Sequence, residues 1–296
     1  MTLLHVKCQR CGSQLKEATV NLRYGLSLDF SKCNSCGYLQ ELNVDEVKEK
    51  LTNKVGRRVG WLQEHLDRFI FTLKLIPFSS RKLVVLDVGS QPGDMTRMVK
   101  QLFGYKTYGL DYRNAFSSPL AFRYYLDIMK QNGIFIKECN VDTNPFPFMD
   151  EVFDLLLFTE VIEHLRNPLR TLSEIHRVLK PNGNLILSTP NFMRASNRIR
   201  ALLRLSRRFH GVKEYTLEEL KKLLSDANFL VKQVIFSDWC DRKWAKKVLN
   251  EFPRTPTHFT KVSNLVAIWT IVRYGLVLKI RPSLSSFIFI IAMKNQ

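Results

Sequence analysis

Three groups of residues in this 296-residue chain have types and spacing suited to chemistry. The first is a pair of dithiol turns, Cys8-x-x-Cys11 and Cys33-x-x-Cys36, each followed by a glycine, Gly12 or Gly37. Two thiolates on one turn can grip one ion, and the glycine lets backbone amides approach the sulfurs without a Cβ in the way. The pairs stand 21 residues apart, one beyond the usual window for a four-thiolate zinc site. Two disulfides or redox-active dithiols are the alternative. Cys139 and Cys240 are left over, however, and the first residues lack a secretory pattern. The expectation is therefore structural Zn2+ held by Cys8, Cys11, Cys33 and Cys36. A closed four-Cys site leaves no open coordination position, so it holds a fold and performs no reaction.

The second group lies in Leu83-Val84-Val85-Leu86-Asp87-Val88-Gly89-Ser90-Gln91-Pro92-Gly93-Asp94. A short β-branched apolar run ending in an acid and a glycine loop reads as a buried parallel strand feeding a helix N-terminus. In an open α/β sheet that is where a nucleotide-like ligand binds. Asp111 ends the next apolar run, Thr107 to Leu110, about twenty residues after the loop, where an acid can accept hydrogen bonds from ribose hydroxyls. The third group is Glu160-Val161-Ile162-Glu163-His164, two carboxylates and an imidazole that titrates in the useful range.

The elements that must position these groups follow in order. A helical spacing runs from Val59 to Ile76 through Leu62, Leu66, Phe69, Ile70 and Leu73, a bridge suited to covering one end of a cofactor pocket. Strands are predicted at Phe135 to Val141, ending in Asp142, and at Phe153 to Phe158. A helix ending at Lys180 then meets the turn Pro181-Asn182-Gly183 and another buried strand, Asn184 to Thr189. The last strand is placed at Phe287 to Ala292, and Thr216 with Glu219 makes a capping box for a helix before it.

Taken in this order, the segments from about residue 81 to 236 resemble class I S-adenosylmethionine (SAM)-dependent methyltransferases of the ubiquinone-biosynthesis (type 11) group. The resemblance implies an α/β fold: a Rossmann-like seven-stranded sheet, here with an N-terminal four-Cys zinc ribbon. It implies SAM contacts from Asp87, Gly89, Ser90, Gln91, Gly93, Asp111, Tyr112, Asp142 and Phe158, with Asp142 near the adenine amino group. One departure stands out. The family usually has glycine where this chain has Gln91, so Gln91 must turn its side chain away or the loop must sit farther from the methionine part. A Gly-x-x-x-Gly loop after a strand also suits a dinucleotide dehydrogenase.

A methyl acceptor with a hydroxyl or amine must be aligned with the donor methyl and lose a proton. Three readings of the third group stand side by side. His164 acts as general base with Glu163 beside it; Glu160, Glu163 and His164 hold a divalent ion near the acceptor; or the trio caps and orients a helix starting near Glu160. His210 is a further imidazole in the acceptor region.

Three regions are predicted: a ribbon over 1–42, a linker and covering helix over 43–80, and the methyltransferase domain over 81–296. Within the last, 191–213 reads as a basic amphipathic helical insert carrying Arg194, Arg198, Arg200, Arg204, Arg207, Arg208 and Lys213 without acids. Residues 241–282 form an insertion with Trp244, Trp269 and Tyr274 among cations. The whole chain carries a formal charge of +18 with 45% hydrophobic residues, which favours an anionic partner and argues against disorder. Aromatics among cations suit a membrane interface or stacking on bases.

The chain is expected in the cytoplasm, touching the inner membrane face peripherally, because the run Val262 to Val272 is too short to span a bilayer. The expected acceptor is a hydroxyl on a small-molecule, glycan or lipid-linked compound. Ribosomal or transfer RNA is the alternative, as is a catalytically silent SAM-binding scaffold. An Asn-Pro-Pro-Tyr-like grip on a base would favour RNA, but that place reads Phe158-Thr159-Glu160-Val161.

Overall fold

The computed structural model describes residues 7–8, 10–21, 27–39, 60–115, 118–194, 197, 212–237 and 285–295. At the N-terminus β1 (Leu15–Asn21) and β2 (Ser27–Cys33) pair antiparallel, carrying the two cysteine turns at one end. Helix α1 (Gly60–Leu75) follows, then β3 (Val84–Val88), α2 (Asp94–Phe103), β4 (Lys106–Asp111), α3 (Pro119–Gln131) and β5 (Phe135–Glu138). The second half contains β6 (Phe153–Thr159), α4 (Pro168–Val178), β7 (Leu179–Pro190), α5 (Leu217–Asp226), β8 (Phe229–Ser237) and β9 (Phe287–Lys294).

The strands β3 to β9 form one seven-stranded sheet in the order β5-β4-β3-β6-β7-β9-β8. Strands β3 to β7 are parallel, and β9 runs antiparallel to both β7 and β8. The order reverses beside β3, whose neighbours are β4 and β6. Loops after β3 and β6 therefore diverge to opposite faces and leave a crevice at their carboxyl ends.

Strand periodicity assigns the core. On β6, Leu155 and Leu157 face one side of the sheet while Leu156 and Phe158 face the other. The first side packs on α1 and α2 through Leu66, Phe69, Leu73, Met98 and Leu102. The second packs on α4 and α5 through Leu172, Ile175, Leu220 and Leu224. Thr216 and Glu219 form the predicted capping box of α5: the Thr216 hydroxyl accepts from the Glu219 N–H at 3.2 Å, and the Glu219 carboxylate accepts from the Thr216 N–H at 2.9 Å.

Several boundaries differ from the sequence reading. The third methyltransferase strand stops at Glu138, and Asn140 to Asp142 turn away from the sheet. Helix α4 ends at Val178, and Leu179 already pairs with Phe153. The register then jumps to Leu155 with Asn184, so Lys180 to Gly183 loop out of β7 with Asn182 at φ 61°. No α-helix starts near Glu160. That segment is a single 3-10 turn, Ile162–His164, and α4 is capped by Asn167 instead. The capping reading of the Glu160, Glu163 and His164 trio is thereby corrected. Most of the basic insert, including Arg198 to Arg208 and His210, lies outside the described residues, as do Cys240 and all of 241–282.

Candidate cofactor and acceptor pocket

The carboxyl ends of β3 and β6 open into a cavity of about 240 Å³. Its floor is Asp87, Gly89, Ser90, Gln91 and Pro92, with Met95 from the first turn of α2. Thr159, Glu160 and His164 line it after β6, and His65, Arg68 and Phe69 close it from α1.

The loop after β3 is held by hydrogen bonds on both sides. Gly89 and Ser90 donate their N–H groups to the Leu110 carbonyl at 2.9 and 3.3 Å. The Ser90 hydroxyl lies 2.6 Å from the Tyr125 hydroxyl of α3. Gly89 sits at φ 73°, and a Cβ there would lie 2.4 Å from a Val161 methyl, so only glycine lets the two cofactor-side loops meet. Gln91 donates its backbone N–H to the Asp111 carboxylate at 2.6 Å and keeps its side chain exposed at the cavity. This is how the loop accommodates a residue with a side chain at that place.

Asp111 accepts a second N–H, from Tyr112 at 2.8 Å. Two of its acceptor positions are thus used by the chain, and the carboxylate retains others. Burial pushes its pKa up to about 6. At Asp87, burial pushes the pKa up to about 7, although the Thr96 hydroxyl donates to it at 2.6 Å and favours the anion.

Asp142 does not approach the cavity floor. Its carboxylate accepts the N–H groups of Arg166 and Asn167 at 3.0 and 2.8 Å, fixing the turn that leads into α4. Gly93 lies at the N-terminus of α2 under Met129, and Tyr112 stands just beyond β4. Phe158 is corrected as a cofactor contact: its side chain is fully buried among Leu86, Leu156 and Leu187 on the opposite face of the sheet. The alternation along β6 sends Thr159 to the cavity in its place, and Glu160, just past the strand end, joins it through a left-handed backbone.

On the acceptor side, Glu160 has a left-handed backbone at φ 56°. Its carboxylate accepts from the Ser188 hydroxyl at 2.9 Å and lies 3.6 Å from the Arg68 guanidinium. Such a strained, doubly held acid at a strand end is uncommon away from functional sites. Glu163 is buried beneath it, accepting from the Thr189 hydroxyl at 3.1 Å. Burial, and then the neighbouring Glu160 charge, push its pKa well above the ordinary carboxylate range. Its backbone carbonyl accepts from both Val212 and Lys213, which docks the chain returning from the basic insert onto this turn. His164 is exposed and lines the cavity, whereas Glu163 does not.

The sequence reading had α1 as a cover but missed which of its residues enter the site. His65, Arg68 and Thr72 recur at helical spacing beside the apolar stripe of Leu66, Phe69 and Leu73, a polar line on an otherwise core-facing helix. That line was the available signal for Arg68.

Away from the cavity, Cys8, Cys11, Cys33 and Cys36 bring their four sulfurs within 4.8 Å of one another. The Cys8–Cys36 and Cys11–Cys33 sulfur separations are 3.6 and 3.4 Å. Tetrahedral zinc with bonds of about 2.3 Å needs sulfurs about 3.8 Å apart, so this donor set fits the ion. Both turns repeat one hydrogen bond, from Gly12 N–H to the Cys8 carbonyl and from Gly37 N–H to the Cys33 carbonyl, each at 2.8 Å.

Comparison with known proteins places this architecture. The methyltransferase-domain family matches residues 60–234, more than half of the chain. A ubiquinone biosynthesis O-methyltransferase of Cereibacter sphaeroides is 29% identical over 116 residues, covering 39% of this chain and 44% of that protein. Probable polyketide synthase 23 of Dictyostelium discoideum is 24% identical over 159 residues, 49% of this chain and 6% of that protein. The chain thus spans less than half the length of these curated relatives. Among solved structures, a geranyl diphosphate methyltransferase in complex with SAM superposes with a TM-score of 0.51 at 15% identity, covering 86% of this chain and 93% of that one. Phosphoethanolamine N-methyltransferase 2 of Haemonchus contortus, also in complex with SAM, gives 0.51 at 14% identity, covering 99% and 71%. Likeness at this identity is a likeness of fold.

Proposed function

From the premise that this chain belongs to the methyltransferase-domain family and is a SAM-dependent methyltransferase, we propose that it methylates a hydroxyl of a small-molecule, glycan or lipid-linked acceptor, with His164 as the base. One observation carries the reading: His164 and Glu160 line the same cavity as the glycine loop, Asp87 to Pro92. On this reading a proton acceptor and the donor site share one cavity.

When bound, SAM supplies a methyl group made electrophilic by its sulfonium. The chain's own groups then have separable tasks. Gly89, Ser90 and Gln91 offer backbone at the loop, and Asp111 offers its remaining acceptor positions to the ribose. Gly93 and Tyr112 flank these, and Asp142 acts through the turn that it fixes. Arg68 lines the cavity with a side chain only 12% exposed, and its guanidinium suits the carboxylate of the cofactor's amino-acid end. His164 takes the acceptor proton, and buried Glu163 positions the turn that presents it. The four-cysteine site binds structural zinc.

The charge of +18 supports an anionic acceptor or surface, and we place the enzyme in the cytoplasm, at an anionic membrane face. RNA is the second reading, favoured by the same charge. Labelled SAM incubated with separated lipid, glycan, small-molecule and RNA fractions tests the acceptor class. Label in the first three groups, lost in His164→Ala with S-adenosylhomocysteine affinity kept, is the expected result. Label confined to RNA overturns the acceptor, and full turnover by His164→Ala overturns the base.

A further inference from the structure

The four-cysteine ribbon packs against α1 and α2, two helices that line the cofactor pocket. Val20, Leu28 and Phe30 of its strands, with Leu39 just beyond, belong to the same buried cluster as Leu66, Phe69, Met95, Met98 and Leu102 of α1 and α2. Two members of that cluster, Phe69 and Met95, also line the pocket. The ribbon therefore packs on the helices that carry these side chains.

Polar ties add direction to this packing. Gln101 of α2 accepts the Asn21 N–H at 2.7 Å and donates to the Asn21 carbonyl at 3.1 Å, pairing with the ribbon edge as another strand would. Lys32 donates to the Leu102 carbonyl in the last turn of α2, where a cation also suits the helix dipole. The Cys33–Cys36 turn is wedged against the chain leaving α1, since a Cβ on Gly37 would lie 2.3 Å from Phe78 Cβ. At its other end α2 begins at the glycine loop and holds Asp87 through Thr96.

A two-stranded ribbon is too small to be stable by itself and draws its order from the metal and from what it packs on. We propose that zinc at Cys8, Cys11, Cys33 and Cys36 and SAM in the pocket bind with positive coupling. Metal in the ribbon fixes α1 and α2 where they complete the pocket, and the cofactor, by holding those helices, holds the ribbon. Gln101 and Lys32 are positioning residues in this scheme. The proposal rests on the SAM and zinc sites assigned above.

Coupling between two sites must be reciprocal, and this makes it testable on the full chain. S-adenosylhomocysteine affinity is measured for zinc-loaded, chelator-stripped and zinc-restored protein, with zinc content followed by elemental analysis. A loss of at least tenfold on stripping, reversed by zinc, is expected. Zinc affinity, measured by competition with a chromophoric chelator, should rise by the same factor when S-adenosylhomocysteine saturates the protein. Should the stripped chain unfold, Gln101→Ala decides, compared with native protein while both are zinc-loaded and folded: a severalfold weaker S-adenosylhomocysteine affinity supports the coupling, and an unchanged one overturns it. Gln101→Ala should keep one zinc and shrink the mutual factor severalfold. Zinc and S-adenosylhomocysteine affinities independent of each other within twofold overturn the coupling alone. Zinc-loaded protein that binds no S-adenosylhomocysteine, or protein that holds no zinc, ends the proposal by overturning the donor or the metal assignment, each through its own readout.

Discussion

Asp87 and Asp111 show how burial and function pull against each other at single residues. Both are nearly enclosed, and both are pushed up, to about 7 and about 6, chiefly by loss of water. Their ordinary value is 3.8, so between about pH 4 and 7 the folded chain holds protons that the unfolded chain has released. Stability is therefore greatest at the acid side of this window, falls as pH rises through it, and levels off above about 7. Asp87 alone contributes a fall on the order of 4 kcal/mol. Asp87→Asn removes that titration, and denaturant melts across the window should show a flatter slope than the native protein. An unchanged slope would show that Asp87 ionises as if exposed. Glu163 titrates with the same sign, which is why the native profile should remain sloped in the variant.

Elements carry consequences that no single site residue does. Helix α5 packs Leu220 and Leu224 on the sheet face away from the cavity, and its first turn is closed by the Thr216–Glu219 box. Thr216→Ala should cost ~1 kcal/mol and lower Tm by about 2–4 °C. S-adenosylhomocysteine affinity should stay unchanged, because α5 and the pocket lie on opposite sheet faces. Calorimetric melting and titration on the same variant check both halves, and a large loss of binding would show that α5 reaches the pocket. Helix α1 behaves otherwise. Its apolar stripe enters the core while the adjoining line of His65 and Arg68 enters the cavity, so one element serves stability and ligand together.

The molecule as a whole is strongly basic, and the described residues include no helix long and apolar enough to cross a membrane. Both roots of the basic insert are pinned: Arg194 pairs with buried Glu214 at 2.6 Å, and Val212 and Lys213 dock on Glu163. Neutralising Arg200, Arg204, Arg207 and Arg208 should abolish flotation with anionic vesicles, since each basic side chain at a surface contributes about 1 kcal/mol. S-adenosylhomocysteine affinity should not change. On the RNA reading vesicles are ignored, and the salt slope of RNA binding falls by about one per Arg removed. Native protein that binds neither vesicles nor RNA would instead favour a soluble acceptor.

What the sequence determined was whatever rests on local pattern. Runs such as Leu83 to Leu86 and Leu155 to Phe158 are apolar without a break, and that alone marks strands buried on both faces. The cysteine turns, the glycine loop and the capping box are likewise short-range chemistry, legible in a dozen residues or fewer. Three decisions came only with tertiary structure. The alternation along β6 turned Phe158 into core and gave Thr159 to the cavity, because strand phase is set by the sheet and not by the motif. Arg68 entered the site because α1 crosses over the glycine loop, a contact between residues some twenty apart. The ribbon came to pack on the pocket's helices because Val20 and Phe30 find their apolar partners on α1 and α2, far along the chain. Burial is a property of the assembled layers, and no spacing within one segment states which neighbour will cover it.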